Sequence, residues 1–303
     1  MLRKSLGSRI RVGFVQWIHA FPFIVGGLLL MSVFVLYPLF RNVYISFTEY
    51  DVINNQTVQV VGFENYARCF QDPKYHIAFR NTLMYTLITV PGQMFFGLVL
   101  ACLINAINKG KTLFRIICYL PVITSWVVVS LIFKYLFMSG KAGFVNYTLM
   151  QLGVLDKPVA WLQNEWTANI VLWLFGIWKG VGWVMVIYLA ALQNIPSSVY
   201  EASEIDGAGP IRRFFSITIP MVKNTTNYLL VVLTIGGFGA YIHVMMITEG
   251  APLGTTNQLI NYMYNSAFSV YDFGYAAAQA VVIGLIVFVL TLVQRRVSRD
   301  QKN

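Results

Sequence analysis

Long apolar stretches alternate with short polar ones along the whole chain. Six of the apolar stretches, at residues 12–40, 81–108, 116–137, 167–192, 224–248 and 273–294, are long enough to cross a bilayer. A spanning helix needs about 20 mostly apolar residues, because roughly 30 Å of hydrocarbon is crossed at about 1.5 Å per residue. The first stretch carries only His19 among titratable basic or acidic groups, and the second carries no Lys, Arg, Asp or Glu. The third is interrupted only by Lys134 and the fourth only by Lys179, while the fifth and sixth are free of charge and contain glycines that suit close helix approach. The pattern predicts an all-α polytopic membrane protein of six transmembrane helices forming one integral domain over 1–303, without internal repeat, low-complexity tract or linker.

Three polar breaks stand out. The segment 41–80 is the longest, and its run at 51–57 (DVINNQT) reads as an exposed turn on a small external subdomain. The segment 249–272 carries Gly250, Pro252 and Gly254, then an apolar patch at Tyr262, Tyr264 and Phe268. The third break, 195–222, contains EASEIDGAGPIRRFFSITIP at 201–220 and reads as two short helices joined by a tight turn. Ser198 and Glu201 have capping-box spacing, which places a helix start there. Gly207, with Gly209 beyond it, supplies the backbone freedom that a helix end and a reversal require, and Pro210 suits the first position of a second helix. In that helix Ile211, Phe214, Phe215 and Thr218 recur at i, i+3, i+4 and i+7, with Arg212 and Arg213 pointing elsewhere. Pro220 disfavours helical backbone at residue 219. One apolar face is left needing a partner.

Composition agrees with a membrane protein: 57% of residues are hydrophobic and 11% charged, against about 25% charged in ordinary soluble domains. Lys and Arg are unequally shared between the two sides of the six stretches. Fourteen of the 22 lie in the N-terminal segment (Arg3, Lys4, Arg9, Arg11), at 109–115, at 212–223 and after residue 294. The positive-inside rule therefore puts both termini and the 195–222 loop in the cytoplasm. Glu49, Asp51, Glu64, Asp72, Asp156, Glu165, Glu249 and Asp272 all fall on the other side, and Trp17, Trp161 and Trp166 near stretch ends fit interfacial anchoring. The first stretch exceeds a signal-peptide core and lacks an evident cleavage site, so it reads as an uncleaved span. The formal charge of +10 comes without a basic, aromatic-studded soluble surface, which argues against nucleic acid as a partner. Cys69, Cys102 and Cys118 have neither metal spacing nor an even count.

Catalytic signatures are missing. No G-x-x-x-x-G-K-[ST] phosphate loop, H-E-x-x-H or G-x-S-x-G occurs, and His19, His76 and His243 are far apart. The chain is read as neither an enzyme nor a metal protein, and energy for any uphill work has to come from another subunit.

The 201–220 stretch resembles the EAA loop of the membrane subunits of binding-protein-dependent ABC importers, with Glu201, Ala202, Ser203, Gly207, Ile217 and Pro220 at the family's spacing. Ser203 stands where a second Ala is usual and Ile219 where Leu is, and a common second Pro is missing. VGFENY at 61–66, FRNTLMYT at 79–86, TEGAPLGTTNQLINYMYNSAF from 248 and GYAAA to 278 are also similar to the family. Within it the chain looks like the larger permease of maltodextrin, lactose and glycerol-phosphate systems. The resemblance implies half of a carbohydrate path in a bacterial inner membrane, paired with a second permease subunit, cytoplasmic ATPases and an external solute-binding protein. It implies no cofactor on this chain, since ATP and its magnesium would sit on the ATPase. It also assigns ATPase coupling to Glu201, Ala202, Ser203, Asp206, Gly207, Phe214, Ile217 and Pro220. An ordinary hairpin packed on its own membrane ends would explain the same caps and glycines.

In the relatives it resembles, the helices flanking this loop line the path, which makes Lys179, Trp183, Gly236, Gly237 and Tyr241 candidates for contact with the solute. A mid-span ammonium costs about 3 kcal/mol on insertion scales unless water or a partner relieves it. Lys179 either faces the path, favouring an anionic sugar, or is paired or snorkelling. Trp178, Trp183, Tyr188 and Tyr241 either stack on sugar rings or pack. Gly236, Gly237 and Gly239 either leave room for a ligand or bring helices together. Lys134 reads as snorkelling. The rival reading is a self-sufficient secondary sugar transporter or channel, which is disfavoured because no Asp or Glu lies within the six stretches to couple an ion.

Overall fold

The structure, a computed structural model, describes the backbone of residues 21, 23–50, 58–107 and 109–300 and side chains as far as 296. Several expectations lie outside these residues: 12–20 of the first stretch with Trp17 and His19, the four N-terminal basic residues, the turn at 51–57, and Arg299 and Lys302.

Helix α1, Phe23–Ile45, widens to π geometry over Ser32–Leu36 and leans on the last helix, keeping nearly all of its side chains exposed. A two-stranded antiparallel ribbon follows, β1 Thr48–Glu49 and β2 Gln59–Val60, with Thr48 opposite Val60. The short helix α2, Glu64–Gln71, completes the small subdomain expected over 41–80. Asn65 fastens it to the ribbon by donating to Ser46 O and Thr48 O at 3.1 and 2.9 Å.

The core is built on α3, Pro73–Ala106, and α7, Glu165–Gln193. Each starts on a side-chain cap: Asp72 accepts from Lys74 N at 2.9 Å and Asn164 from Trp166 N at 3.0 Å, satisfying amides that have no partner in the first turn. Small residues on both helices let them approach. A Cβ on Gly92 or Gly97 would lie 2.7 Å from Ile177 or 2.6 Å from Val184, and one on Gly176 would lie 2.4 Å from the Tyr85 hydroxyl. Buried Val184, Met185, Tyr188, Leu189 and Leu192 fill the seam with Ala101, Ile104 and Leu229.

Two of the six stretches are not single helices. The 116–137 stretch divides into α4, Lys111–Ile123, and α5, Trp126–Leu136, whose axes differ by 92°. Thr124 and Ser125 are extended at the break, and the Thr124 hydroxyl turns back to Pro121 O at 2.7 Å, a local bond that competes with helix continuation. The 224–248 stretch divides into α10, Lys223–Phe238, and α11, Ile242–Ile247, around Gly239 and an irregular Tyr241 at φ −147°, ψ −61°. Gly236, Gly237 and Gly239 cost about 1 kcal/mol each in helix propensity, which makes this the weak point of the stretch. Between these elements come α6, Phe144–Gln151, α8, Ser197–Ile205, and α9, Pro210–Arg213. Helices α12, Leu259–Phe268, and α13, Phe273–Asp300, close the chain. Among the described residues four helices, α1, α3, α7 and α13, are long and apolar enough to span a membrane, and the bent α4–α5 pair makes up to five.

The outer ends, as assigned by charge, are tied by polar contacts. Arg68 pairs with Asp272 at 2.6 Å, Arg80 with Glu165, and Lys134 with Glu249 at 2.7 Å, so Lys134 is ion-paired rather than simply snorkelling. The Asp72 carboxylate accepts from Tyr262 at 2.6 Å and Tyr275 at 2.8 Å, joining the start of α3 to α12 and α13.

Candidate functional site: the 195–222 hairpin and the cavity beside it

Pro196 in extended conformation starts α8, and the helix begins at Ser197. Ser198 is therefore inside the first turn and makes no cap bond; the capping-box reading put the boundary one to two residues late because Pro196 already fixes the entry. At the other end Asp206 is the C-cap and Gly207 takes φ +72°. Gly207 N donates to Glu204 O at 3.0 Å and Ala208 N to Ser203 O at 2.9 Å, the paired bonds of a Schellman motif. Pro210 opens α9 at its first position, as its fixed φ favours. The helical path then continues as a π segment, Phe214–Thr218, into Ile219–Met221. The expected interruption before Pro220 does not occur. Ile219 stays helical, its N–H reaching back five residues to Phe214 O, and this wider turn accommodates the proline that an α-helix would exclude.

The widening also splits the expected apolar face. Phe214 is half-buried and Thr218 buried, and both line a cavity of ≈ 320 Å³ between the hairpin and the ends of α3 and α7, with Tyr200, Cys102, Asn105 and Leu192. Ile211 (76% exposed) and Phe215 (63%) do not line it, and Ile205 at the end of α8 is 88% exposed. Glu201, Ala202, Asp206, Gly207 and Pro220 are exposed, and Ile217 is half-buried. Ser203 is buried, with its hydroxyl on Tyr200 O at 2.6 Å, so it braces the hairpin from within. Sequence reading missed the strut across the turn, an ion pair from Arg213 to Glu204. Opposite charges flanking a Gly-Ala-Gly-Pro reversal were the available signal.

A second cavity, of ≈ 300 Å³, lies where α3, α7, α10 and the α4–α5 break meet. It collects four of the five path candidates: Lys179, Trp183, Gly236 and Gly237. Tyr241 borders an adjacent cavity of ≈ 340 Å³ that shares Tyr85, Trp126 and Gly236 with the first. There its hydroxyl meets Met245 Sδ at 2.9 Å and its ring lies 5.2 Å from that of Tyr264. The two glycines differ. A Cβ on Gly237 would sit 2.6 Å from Thr86 Oγ1, whereas nothing lies within 4 Å of one on Gly236. Gly237 thus brings helices together and Gly236 leaves space. Trp178 packs on Phe133 instead, and Tyr188 is core, bonded to Thr226 at 3.1 Å.

Lys179 is 2% exposed and its ammonium lies against Pro121 O, Val122 O at 3.3 Å and Thr124 O at 2.7 Å. It is not snorkelling, and among the described residues it meets no carboxylate. Tyr85, Gln93 and Trp126 were not singled out from sequence; polar Gln93 inside an apolar stretch, and Trp126 directly after Thr-Ser, were the signals. His243, in the adjacent cavity, stacks on Phe175 with ring centroids 5.3 Å apart.

Residues 93–303 match the family model of the binding-protein-dependent transport system inner membrane component. The lactose transport system permease protein LacF of Rhizobium radiobacter is 34% identical over 94% of this chain and 95% of its own length. The sulfoquinovosyl glycerol transport system permease protein SmoG of Agrobacterium fabrum is 35% identical over 90% and 88%. In fold, the chain is similar to one from a bacterial alginate ABC transporter crystallised with a periplasmic protein bound to alginate pentasaccharide, with TM-score 0.81 at 22% identity over 98% of each chain. The hairpin, the glycine-seamed helices and these matches together show that the chain belongs to the inner membrane components of binding-protein-dependent ABC transport systems, as a permease subunit and not an enzyme.

Proposed function

We propose that this permease forms one half of the path of an ATP-driven importer for a carbohydrate or related polyol, and that the 201–220 hairpin is its coupling element. The observation that carries the coupling assignment is the exposure of Ile205, Ile211 and Phe215 on a hairpin held rigid by a Schellman cap and the Arg213–Glu204 pair. Such a surface fits a groove on a cytoplasmic ATPase, where ATP and magnesium bind, and would transmit closure there as a rocking of the helices. A second, related permease would supply the other wall of the path, and an external binding protein would deliver solute to the 41–80 and 249–272 side. Both termini lie in the cytoplasm by the distribution of Lys and Arg. The carbohydrate assignment draws on relatives named for lactose and sulfoquinovosyl glycerol, and on the aromatic cavity at Trp126 and Trp183.

A mild-detergent pull-down of tagged chain tests the reading. Recovery of a P-loop ATPase and a second permease, with ATP-dependent sugar uptake after reconstitution, is the expected result. Recovery of the chain alone, moving sugar without ATP, would make a self-sufficient secondary carrier the better description.

A further inference from the structure

The geometry points to Lys179 as the cap of a broken helix, a positioning residue whose charge is spent on backbone. With that charge spent, we infer that the cavity beside it takes an uncharged sugar ring and not an anionic one. The inference rests on reading that cavity as the solute site.

Helix α4 stops at Ile123 in the interior of an apolar stretch, and its last carbonyls have no helical partner. Away from water such groups have to be satisfied by protein. The Lys179 ammonium does this from 55 to 58 residues away, donating to Pro121 O and Thr124 O and reaching Val122 O and, at 3.5 Å, Thr124 Oγ1. An ammonium has three protons, and these oxygens use them all. The carbonyl end of a helix carries about half a negative charge, so the same contact also offsets much of the lysine's field. An anionic sugar would have to strip Nζ from these oxygens, leaving Pro121 O with only its bond from the Thr124 hydroxyl and Thr124 O without the bond it now accepts.

The cap has a second effect. Trp126 is the first residue of α5, immediately beyond the break, and its ring lies 5.1 Å from Nζ. Held there, and packed on Phe175 at 5.7 Å, it forms part of the cavity wall with Tyr85 and Trp183. Lys179 is the only charged residue lining this cavity among the described residues, while the aromatic planes and the open space over Gly236 suit the C–H face of a neutral pyranose.

The test uses the whole importer complex in detergent, with spin labels at exposed Leu113 and Leu131 on either side of the break, in a background without native cysteines. A panel of neutral mono- and disaccharides and the matching uronates is added directly, without binding protein, and contact is read by saturation-transfer NMR. The wild type should prefer the neutral member of each pair at least tenfold. Lys179→Met should shift or broaden the distance across the break and cut neutral-sugar binding at least fivefold, with Lys179→Arg restoring the distance. Trp126→Leu should keep the distance and lose the sugar, so it decides the matter if Lys179→Met does not assemble. A uronate preference in the wild type, abolished in Lys179→Met at unchanged distance, would overturn the proposal, as would full sugar binding by Trp126→Leu. If the wild-type complex binds no sugar of either kind and takes none up with ATP, the carbohydrate reading itself fails, while the distance still reports whether Lys179 holds the break.

Discussion

Replacing Gly207 with Val separates the strain of the reversal from every other property of the hairpin. Gly207 sits at φ +72° with nothing within 4 Å of a Cβ built on it, so within the described residues the cost of a side chain there falls on backbone conformation and not on a Cβ clash. A non-glycine residue in left-handed conformation costs about 1–2 kcal/mol, more for a β-branched one. That cost falls on the Gly207 and Ala208 amide bonds to Glu204 O and Ser203 O, and it changes the population of the native turn by a factor of about 5–30. Gly209 is the control, because at φ −67°, ψ 168° any residue fits, and it too has open space around it. Gly207→Val and Gly209→Ala would be compared in the reconstituted importer for ATPase recovery and for ATP molecules hydrolysed per sugar moved. Gly207→Val should lose at least fivefold in ATPase recovery or in coupling, with Gly209→Ala near wild type. Equal behaviour of the two variants would show that the reversal does not set the docking surface.

Four further outcomes follow from the geometry. Gly237→Leu should lower stability by about 1–3 kcal/mol by overpacking against Thr86, whereas Gly236→Ala should raise it by roughly 0.5–1 kcal/mol through helix propensity while slowing uptake; thermal unfolding in detergent and uptake assays read both. Glu204→Gln should cost less than about 1 kcal/mol, because Glu204 is largely exposed, and its effect on ATPase recovery should vanish in high salt. Burial favours the protonated form of Asp72, but hydrogen bonds from Tyr262, Tyr275 and the Lys74 amide outweigh it and hold the carboxyl below its ordinary value. A lowered folded-state value stabilises the fold above an unfolded pKa of about 4 and ceases to do so as pH falls through the folded value. Asp72→Asn should therefore lower the melting temperature at pH 7, with the gap to wild type narrowing as pH falls below about 4; a gap that does not narrow would refute the assignment.

What could be read from the chain beforehand divides by whether the cause is local. The Gly207 reversal and the Pro210 helix start were legible because each follows from the backbone chemistry of one residue, and the structure puts both where that chemistry demands. Ser198 misled because a plausible side-chain cap competes with the backbone of Pro196, and spacing alone does not rank the two. The bend between α4 and α5 and the break at Gly239 were invisible to hydropathy, which sums composition over a window and carries no information on direction. Lys179 shows the limit most clearly. Its cost inside an apolar stretch was evident, and that cost demanded a partner, but every hydrogen-bond partner it found among the described residues is a main-chain carbonyl or a neighbouring hydroxyl on another element. Carbonyls have no residue identity, so no covariance of charge and no motif could have named them. An apolar stretch with an isolated lysine is therefore a reason to look for a helix that ends early elsewhere in the bundle, since the unpaired carbonyls of such an end are uncharged acceptors able to use all three of its protons.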